Sequence, residues 1–74
     1  MNSGEIIKMM RRYRGLTQTE LGAKMDLTQQ RIGALEAEPD CYFSNIQKAA
    51  EACDFNLRAI PREKIKAVLP LSEN

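Results

Sequence analysis

Two helix-start signals lie eleven residues apart in this 74-residue chain, at Thr17 and at Thr28. The segment Thr17-Gln18-Thr19-Glu20 has the S/T-x-x-E form of a capping box, in which two side chains satisfy free backbone donors of a helix's first turn. Thr28 is a residue type that is favoured as an N-cap. Caps this close together leave room only for a short helix, a tight turn and a second short helix, and this restricts the fold of the whole chain.

The spacing of apolar residues places a further helix before this pair. A first helix is predicted over residues 3–14, and Gly15 ends it as a C-terminal stop. The second helix follows the Thr17 cap. The third is predicted from about Gln29 to Ala37, and it stops before Pro39 because the residue preceding a proline disfavours helical geometry.

A fourth helix is predicted from apolar residues at helical spacing, which we expect to line the core: Phe43, Ile46, Ala49, Ala50 and Cys53. Its start is open, since Ser44 with Gln47 offers a capping box and the helix could also begin as early as Asp40. A chain of this length buries only a thin core. We therefore expect an all-α, compact four-helix domain.

After Asp54 the hydrophobic pattern changes to a period of two in "FNLRAI", which predicts a β-strand that Pro61 ends. A lone strand needs a partner, either residues 65–69 folded back as a hairpin or the same strand of a second copy. We divide the chain into a domain at 1–54, a strand and dimerisation extension at 55–69, and a flexible tail at 70–74. The candidate dimerisation residues are Phe55, Leu57, Arg58, Ala59 and Ile60.

Composition excludes several classes of function. The chain has no histidine and two cysteines, Cys41 and Cys53, so we expect reduced thiols and no zinc site. No glycine-rich phosphate loop or nucleophile–base pair stands out, and we expect neither an enzyme nor a cofactor. No apolar run is long enough for a membrane span, and we expect a cytoplasmic protein. The net charge is +1, divided as +2, −3 and +2 over residues 1–36, 37–54 and 55–74, so any basic footprint must be local.

The third helix carries long polar side chains beside small residues. Gln29 and Gln30 are followed by Arg31, in a first turn where the helix dipole disfavours a cation unless an anion lies opposite. Glutamine can pair with the adenine edge and arginine with the guanine edge. Gly33 and Ala34 would let this helix lie close to base edges, although such a stripe can also be an ordinary solvated face. In helix 2, Gly22 would let helices 2 and 3 approach closely.

The segment "GLTQTELGAKMDLTQQRIGALE", Gly15 to Glu36, resembles the helix-turn-helix of the phage-repressor/Cro-like (XRE-type) DNA-binding proteins. The resemblance extends from Ile7 to about Phe55 and implies a lambda-repressor-like domain whose third helix enters a DNA major groove. It implies that Arg11 and Glu36 pair, tying helix 1 to helix 3. The positions it assigns to DNA are Gln18 at the backbone, Thr28, Ser44 and Asn45 near phosphates, and Gln29, Gln30, Arg31 and Ala34 at the bases.

Two departures from the family pattern stand out. Asp26 replaces the usual turn glycine, so we expect a left-handed backbone there with some strain, although Asp tolerates it better than most residues. "AEPD" replaces the common glycine-containing loop after helix 3.

The resemblance implies a sequence-specific transcriptional regulator, a repressor, that acts as a homodimer on a palindromic operator in double-stranded DNA. The C-terminal "FNLRAIPRE" is similar to the HipB-like antitoxin branch, which implies a toxin-antitoxin system and a HipA-like kinase as a second partner. Two alternatives stay open. The domain could be a helix-turn-helix-derived module that binds only protein, and the C-terminal strand could pair within its own chain.

Overall fold

The computed structural model describes residues 1–56 of the chain. Over that range the protein is all-helical, with α1 at Ser3–Tyr13, α2 at Gln18–Met25, α3 at Gln29–Ala37 and α4 at Phe43–Ala52. The prediction of four helices is confirmed, and α3 has the predicted bounds. None of these four helices is long and apolar enough to cross a membrane. Four of the proposed dimerisation residues lie outside the described range, together with the rest of the extension and the tail: Leu57, Arg58, Ala59 and Ile60.

Polar side chains define the starts of the first three helices. The predicted capping box is present at α2, where Thr17 Oγ1 accepts from the Glu20 N–H at 3.0 Å and Glu20 Oε1 accepts from the Thr17 N–H at 2.8 Å. An equivalent box of Asn2 with Glu5 begins α1. At α3, Thr28 Oγ1 accepts the Arg31 N–H at 3.1 Å, as expected for an N-cap.

The start of α4 differs from the prediction. Its N-cap is Tyr42, whose side chain makes no capping hydrogen bond, and the helix begins at Phe43. The capping box proposed for Ser44 with Gln47 is therefore wrong, and so is a start at Asp40. This helix begins without the side-chain signal that marks the others.

Three helices end in the same backbone motif, with a left-handed residue followed by an apolar one. The left-handed residues are Gly15 at φ 71°, Asp26 at φ 61° and Asp54 at φ 61°. In each case the next residue donates its N–H to the carbonyl five residues earlier: Leu16 to Arg11 at 3.1 Å, Leu27 to Gly22 at 2.8 Å and Phe55 to Ala50 at 2.8 Å. These apolar residues pack against the core, as in a Schellman motif. The left-handed conformation expected at Asp26 is thus confirmed.

The core contains side chains from all four helices and the residue that follows α4: Ile7, Met10, Leu21, Ile32, Leu35, Ala49, Ala50 and Cys53. The placement of Phe43 in this core was wrong, because its side chain is 64% exposed. Cys41, two residues earlier, packs against the core instead, and its Sγ donates to the Leu35 carbonyl at 3.3 Å. The loop before α4 therefore contributes a side chain to the packing around the core.

The N-terminus of α1 lies directly on the C-terminal end of α3. The N–H of Ser3 donates to the carbonyl of Pro39 at 3.2 Å, and the N–H of Gly4 donates to the carbonyl of Glu38 at 2.9 Å. A Cβ on Gly4 would collide with backbone carbonyls at the end of α3. Free N–H donors at the start of α1 thus satisfy carbonyl acceptors near the end of α3, and the positive end of one helix dipole lies against the negative end of the other.

Phe55, the first residue of the predicted strand, packs against the helical domain. Its ring meets Tyr13 edge to face at 5.4 Å, and the Arg14 guanidinium lies 5.1 Å from the centre of each ring. Arg14 also donates to the carbonyls of Cys53 at 2.7 Å and Asp54 at 3.0 Å, which holds the end of α4 against α1. Within residues 1–56, Phe55 is therefore not assigned to a strand: its backbone closes α4 and its side chain packs against the core of its own chain. The rest of the predicted strand lies outside the described residues.

Candidate nucleic-acid interface

The connection between α2 and α3 is three residues long and lies tightly against α2. A Cβ on Gly22 would stand 2.6 Å from the Leu27 carbonyl oxygen and 3.3 Å from the carbonyl carbon of Thr28. The backbone of the turn therefore occupies the space that any side chain at Gly22 would need. The predicted packing role of this glycine is confirmed, and the contact fixes where α3 begins.

One face of α3 is turned outward, and it carries four of the predicted site residues: Gln29, Gln30, Arg31 and Ala34. The opposite face is buried through Ile32 and Leu35. Within residues 1–56, the side chains of Gln30 and Arg31 make no hydrogen bond or ion pair with another residue. Their polar groups are therefore available to a ligand.

A buried ion pair lies beneath this outward face. Arg11 Nε donates to Glu36 Oε2 at 2.6 Å and Arg11 Nη2 donates to Glu36 Oε1 at 3.1 Å, with the side chains only 11% and 4% exposed. Arg11 Nη1 also donates to the Leu16 carbonyl at 2.9 Å. The pair that the family resemblance implied is thus present, and it links α1 to α3.

Burial by itself would raise the pKa of the Glu36 carboxyl. Hydrogen bonds from Arg11 and Gln18, together with the Arg11 charge, outweigh this effect and lower the pKa below its ordinary value. The hydrogen bond to Glu36 also raises the pKa of Arg11, despite the opposing effect of burial. Both groups are therefore charged at neutral pH.

Hydrogen bonds continue from this pair to the surface. Gln18 Nε2 donates to Glu36 Oε1 at 3.1 Å, and Gln29 Nε2 donates to Gln18 Oε1 at 2.6 Å. We name this series, from Arg11 through Glu36 and Gln18 to Gln29, the glutamine relay. Sequence reasoning missed it, because the contact between positions 18 and 29 depends on the geometry of the turn. Both ends of the Gln18 amide are engaged within the chain, at a position assigned to the DNA backbone.

Gly33 borders the relay. A Cβ on Gly33 would lie 3.6 Å from Gln18 Oε1 and 3.7 Å from Gln18 Nε2, which are ordinary contact distances. The sequence predicts that this glycine allows close approach to DNA. In the structure its side-chain position faces the Gln18 amide, whereas Ala34 is exposed.

The two residues assigned to phosphates on α4 lie in its first turn, with Ser44 exposed and Asn45 half-buried. Asn45 lines a shallow cavity of about 300 Å³ together with Arg31, which brings these two predicted residues to the same recess. Glu38 and Asp40 line it as well, so carboxylates stand beside the arginine.

The two cysteines serve packing. Cys53 is buried and Cys41 is half-buried, and burial raises the pKa of both thiols. Among residues 1–56, no group of three or more His, Cys, Asp or Glu side chains is placed to hold a metal ion.

Comparisons of the chain with known protein families, with characterised proteins and with solved structures found no match.

Proposed function

We propose that the protein is a sequence-specific DNA-binding regulator, a repressor, whose α3 reads base edges in the major groove. The observation that carries this proposal is the outward face of α3, where Gln30 and Arg31 make no side-chain bond within residues 1–56. Glutamine and arginine are the side chains best suited to adenine and guanine edges. The role is one of binding and not of catalysis.

The surroundings of these side chains support the same proposal. Arg31 lies in the first turn of α3, where an anionic ligand would offset the unfavourable helix dipole. Ala34 is exposed one turn later and offers no bulk to hold a partner away. Ile32 and Leu35 bury the opposite face, so α3 is held in place when its outer face contacts a ligand.

We propose that two copies bind together on a palindromic operator. With a net charge of only +1, one copy has little general attraction to DNA, and a second copy doubles the contacts to phosphates and bases. Two α3 helices would then lie in successive major grooves about 34–36 Å apart. Sedimentation of the full chain with and without operator tests this: a single copy on the selected operator would reject the dimer.

Selection of bound duplexes from a random pool, followed by titration of variants, tests DNA recognition directly. Gln30→Ala and Arg31→Ala should each weaken binding to the selected operator by about 1–3 kcal/mol, if each residue makes a good base contact. Glu51→Gln, at an exposed carboxylate on α4, is the control and should bind like the wild type. Failure to select any sequence, or unchanged affinity in both α3 variants, would reject the proposal.

A second candidate function is protein binding, and the exposed aromatic pair at the start of α4 favours it. Tyr42 is 81% exposed and Phe43 is 64% exposed, and adjacent aromatic rings of this kind are typical of contact surfaces between proteins. This surface could serve a HipB-like antitoxin, which would bind both an operator and a HipA-like kinase, or a module that binds protein alone.

Salt dependence discriminates between these two functions. DNA affinity should fall by about 10³-fold or more between 50 and 200 mM salt if six or more phosphates are contacted, whereas a flat response would favour the protein-only module. A Tyr42→Ser/Phe43→Ser double variant that keeps its DNA affinity would show that the aromatic pair is a surface separate from α3.

A further inference from the structure

We propose that Glu36 is a positioning residue for base recognition: its buried carboxylate sets, through Gln18, the direction in which the amide of Gln29 faces DNA. This inference deepens the proposed function and rests on it. The glutamine relay carries it, because each member of the relay restricts the hydrogen-bonding role of the next.

The first restriction comes from the carboxylate. An ionised carboxylate only accepts hydrogen bonds, and Arg11 holds Glu36 in that form by donating to both of its oxygens. Gln18 can approach Glu36 Oε1 only with its amino group, at the observed 3.1 Å. A reversed Gln18 amide would place its carbonyl oxygen against the carboxylate, two acceptors with no proton between them.

The second restriction passes to the surface. With its amino group directed at Glu36, Gln18 offers Gln29 only a carbonyl oxygen, so Gln29 must donate, at the observed 2.6 Å. Gln29 retains its own carbonyl oxygen and a second amino hydrogen. The free carbonyl oxygen of Gln29 can accept from the N6 amino group of adenine, and its free amino hydrogen can be donated to adenine N7, both in the major groove.

The reversed arrangement would also admit guanine. If Gln18 donated to the carbonyl oxygen of Gln29, both amino hydrogens of Gln29 would stay free, together with one lone pair of that oxygen. Two donors match the N7 and O6 acceptors of guanine. In the observed arrangement Gln29 has already used one amino hydrogen on Gln18, so it cannot offer two donors to guanine. By excluding the reversed arrangement, the carboxylate of Glu36 makes Gln29 prefer adenine.

Three variants test the inference in the full-length chain, with circular dichroism confirming that each is folded. Glu36→Gln replaces the carboxylate by an amide that donates or accepts, so it releases the direction of Gln18. Gln18→Ala removes the link and leaves the ion pair of Arg11 with Glu36 intact. Glu51→Gln makes the same chemical change as Glu36→Gln at an exposed position of α4 and is the matched control.

Two measurements are made on each variant. The first is the NMR signal of the side-chain amide of Gln29 in the free protein, which reports its hydrogen bonding without DNA. The second is the ratio of affinities for adenine and guanine at the operator position where Gln29→Ala relaxes the sequence preference. We expect Glu36→Gln and Gln18→Ala to shift the amide signal and to lower the ratio about tenfold or more, with no change in the control.

The outcomes separate this inference from the proposed function. If the wild type selects an operator but the folded Glu36→Gln and Gln18→Ala variants keep its adenine preference, the inference is overturned and DNA recognition stands. An unshifted Gln29 amide signal in Glu36→Gln also overturns it. A wild type that selects no duplex overturns both proposals, and the amide signals then show whether the relay forms in solution as a purely structural feature.

Discussion

Gly22 and Gly33 lie on neighbouring helices, and we predict that alanine has opposite effects on stability at the two positions. A helical glycine costs about 0.5–1 kcal/mol relative to alanine, so both substitutions gain this amount from the backbone. They differ in what the added methyl group meets. At Gly33 it would lie 3.6 Å or more from the flexible Gln18 side chain, so Gly33→Ala should stabilise the fold by the full propensity gain.

At Gly22 the methyl group would lie 2.6 Å from the carbonyl oxygen of Leu27. A backbone carbonyl cannot rotate away as a side chain does, so relief requires the turn to move away from α2. Overpacking of this kind costs about 1–3 kcal/mol, and a rigid neighbour favours the upper part of that range. After the propensity gain is subtracted, Gly22→Ala should lose about 1–2 kcal/mol.

Thermal and urea unfolding of the wild type and both variants measure this contrast. The two variants should differ by about 2–3 kcal/mol, which for a domain of this size corresponds to melting temperatures about 10 °C or more apart. The comparison removes the helix propensity common to both substitutions. Equal stabilisation in both variants would refute the argument that the turn backbone excludes a side chain at Gly22.

Three further predictions concern pH, backbone strain and the thiols. Burial tends to raise the pKa of Glu36, but its hydrogen bonds and the nearby Arg11 lower this pKa below the ordinary value of 4.5. The ionised carboxylate therefore stabilises the fold above pH 4.5, and this stabilisation is lost as the pH falls through the lowered pKa of the folded state. Urea unfolding of Glu36→Gln should therefore depend less on pH below about 5, and a slope equal to that of the wild type would contradict this. Asp26→Gly should raise the free energy of unfolding by up to about 1 kcal/mol by relieving a left-handed residue, and a loss of stability would show that the aspartate has another role. Burial raises the pKa of the thiols of Cys41 and Cys53, so iodoacetamide at pH 8 should label the native protein much more slowly than the unfolded chain; equal rates would contradict the burial.

The parts of the fold that were predictable carry local signals. The capping box at Thr17 and the cap at Thr28 each involve only four consecutive residues. The starts of α2 and α3 could therefore be predicted from the sequence alone. The start of α4 could not, because Tyr42 makes no capping bond there. Phe43 has a core-like spacing in the sequence, but its side chain is exposed, and Cys41 from the preceding loop packs against the core.

The candidate site divides in the same way. The outward position of Gln30 and Arg31 follows from the burial of Ile32 and Leu35 at helical spacing. The contact of Gln18 with Gln29 could not be read from spacing, because it depends on how closely the turn lies against α2. The close contact of Gly4 with the end of α3 was not predicted for a related reason: a contact between distant segments of the chain leaves no periodic signal in the sequence.

The helix α3 is fixed at both ends, by the turn against Gly22 at its start and by the amides of Ser3 and Gly4 near its finish. Exchanging Gln30 or Arg31 would consequently alter the chemistry displayed without re-aiming the helix. If α3 reads base edges as proposed, new target preferences would be reachable through two or three side-chain replacements on a helix that does not move.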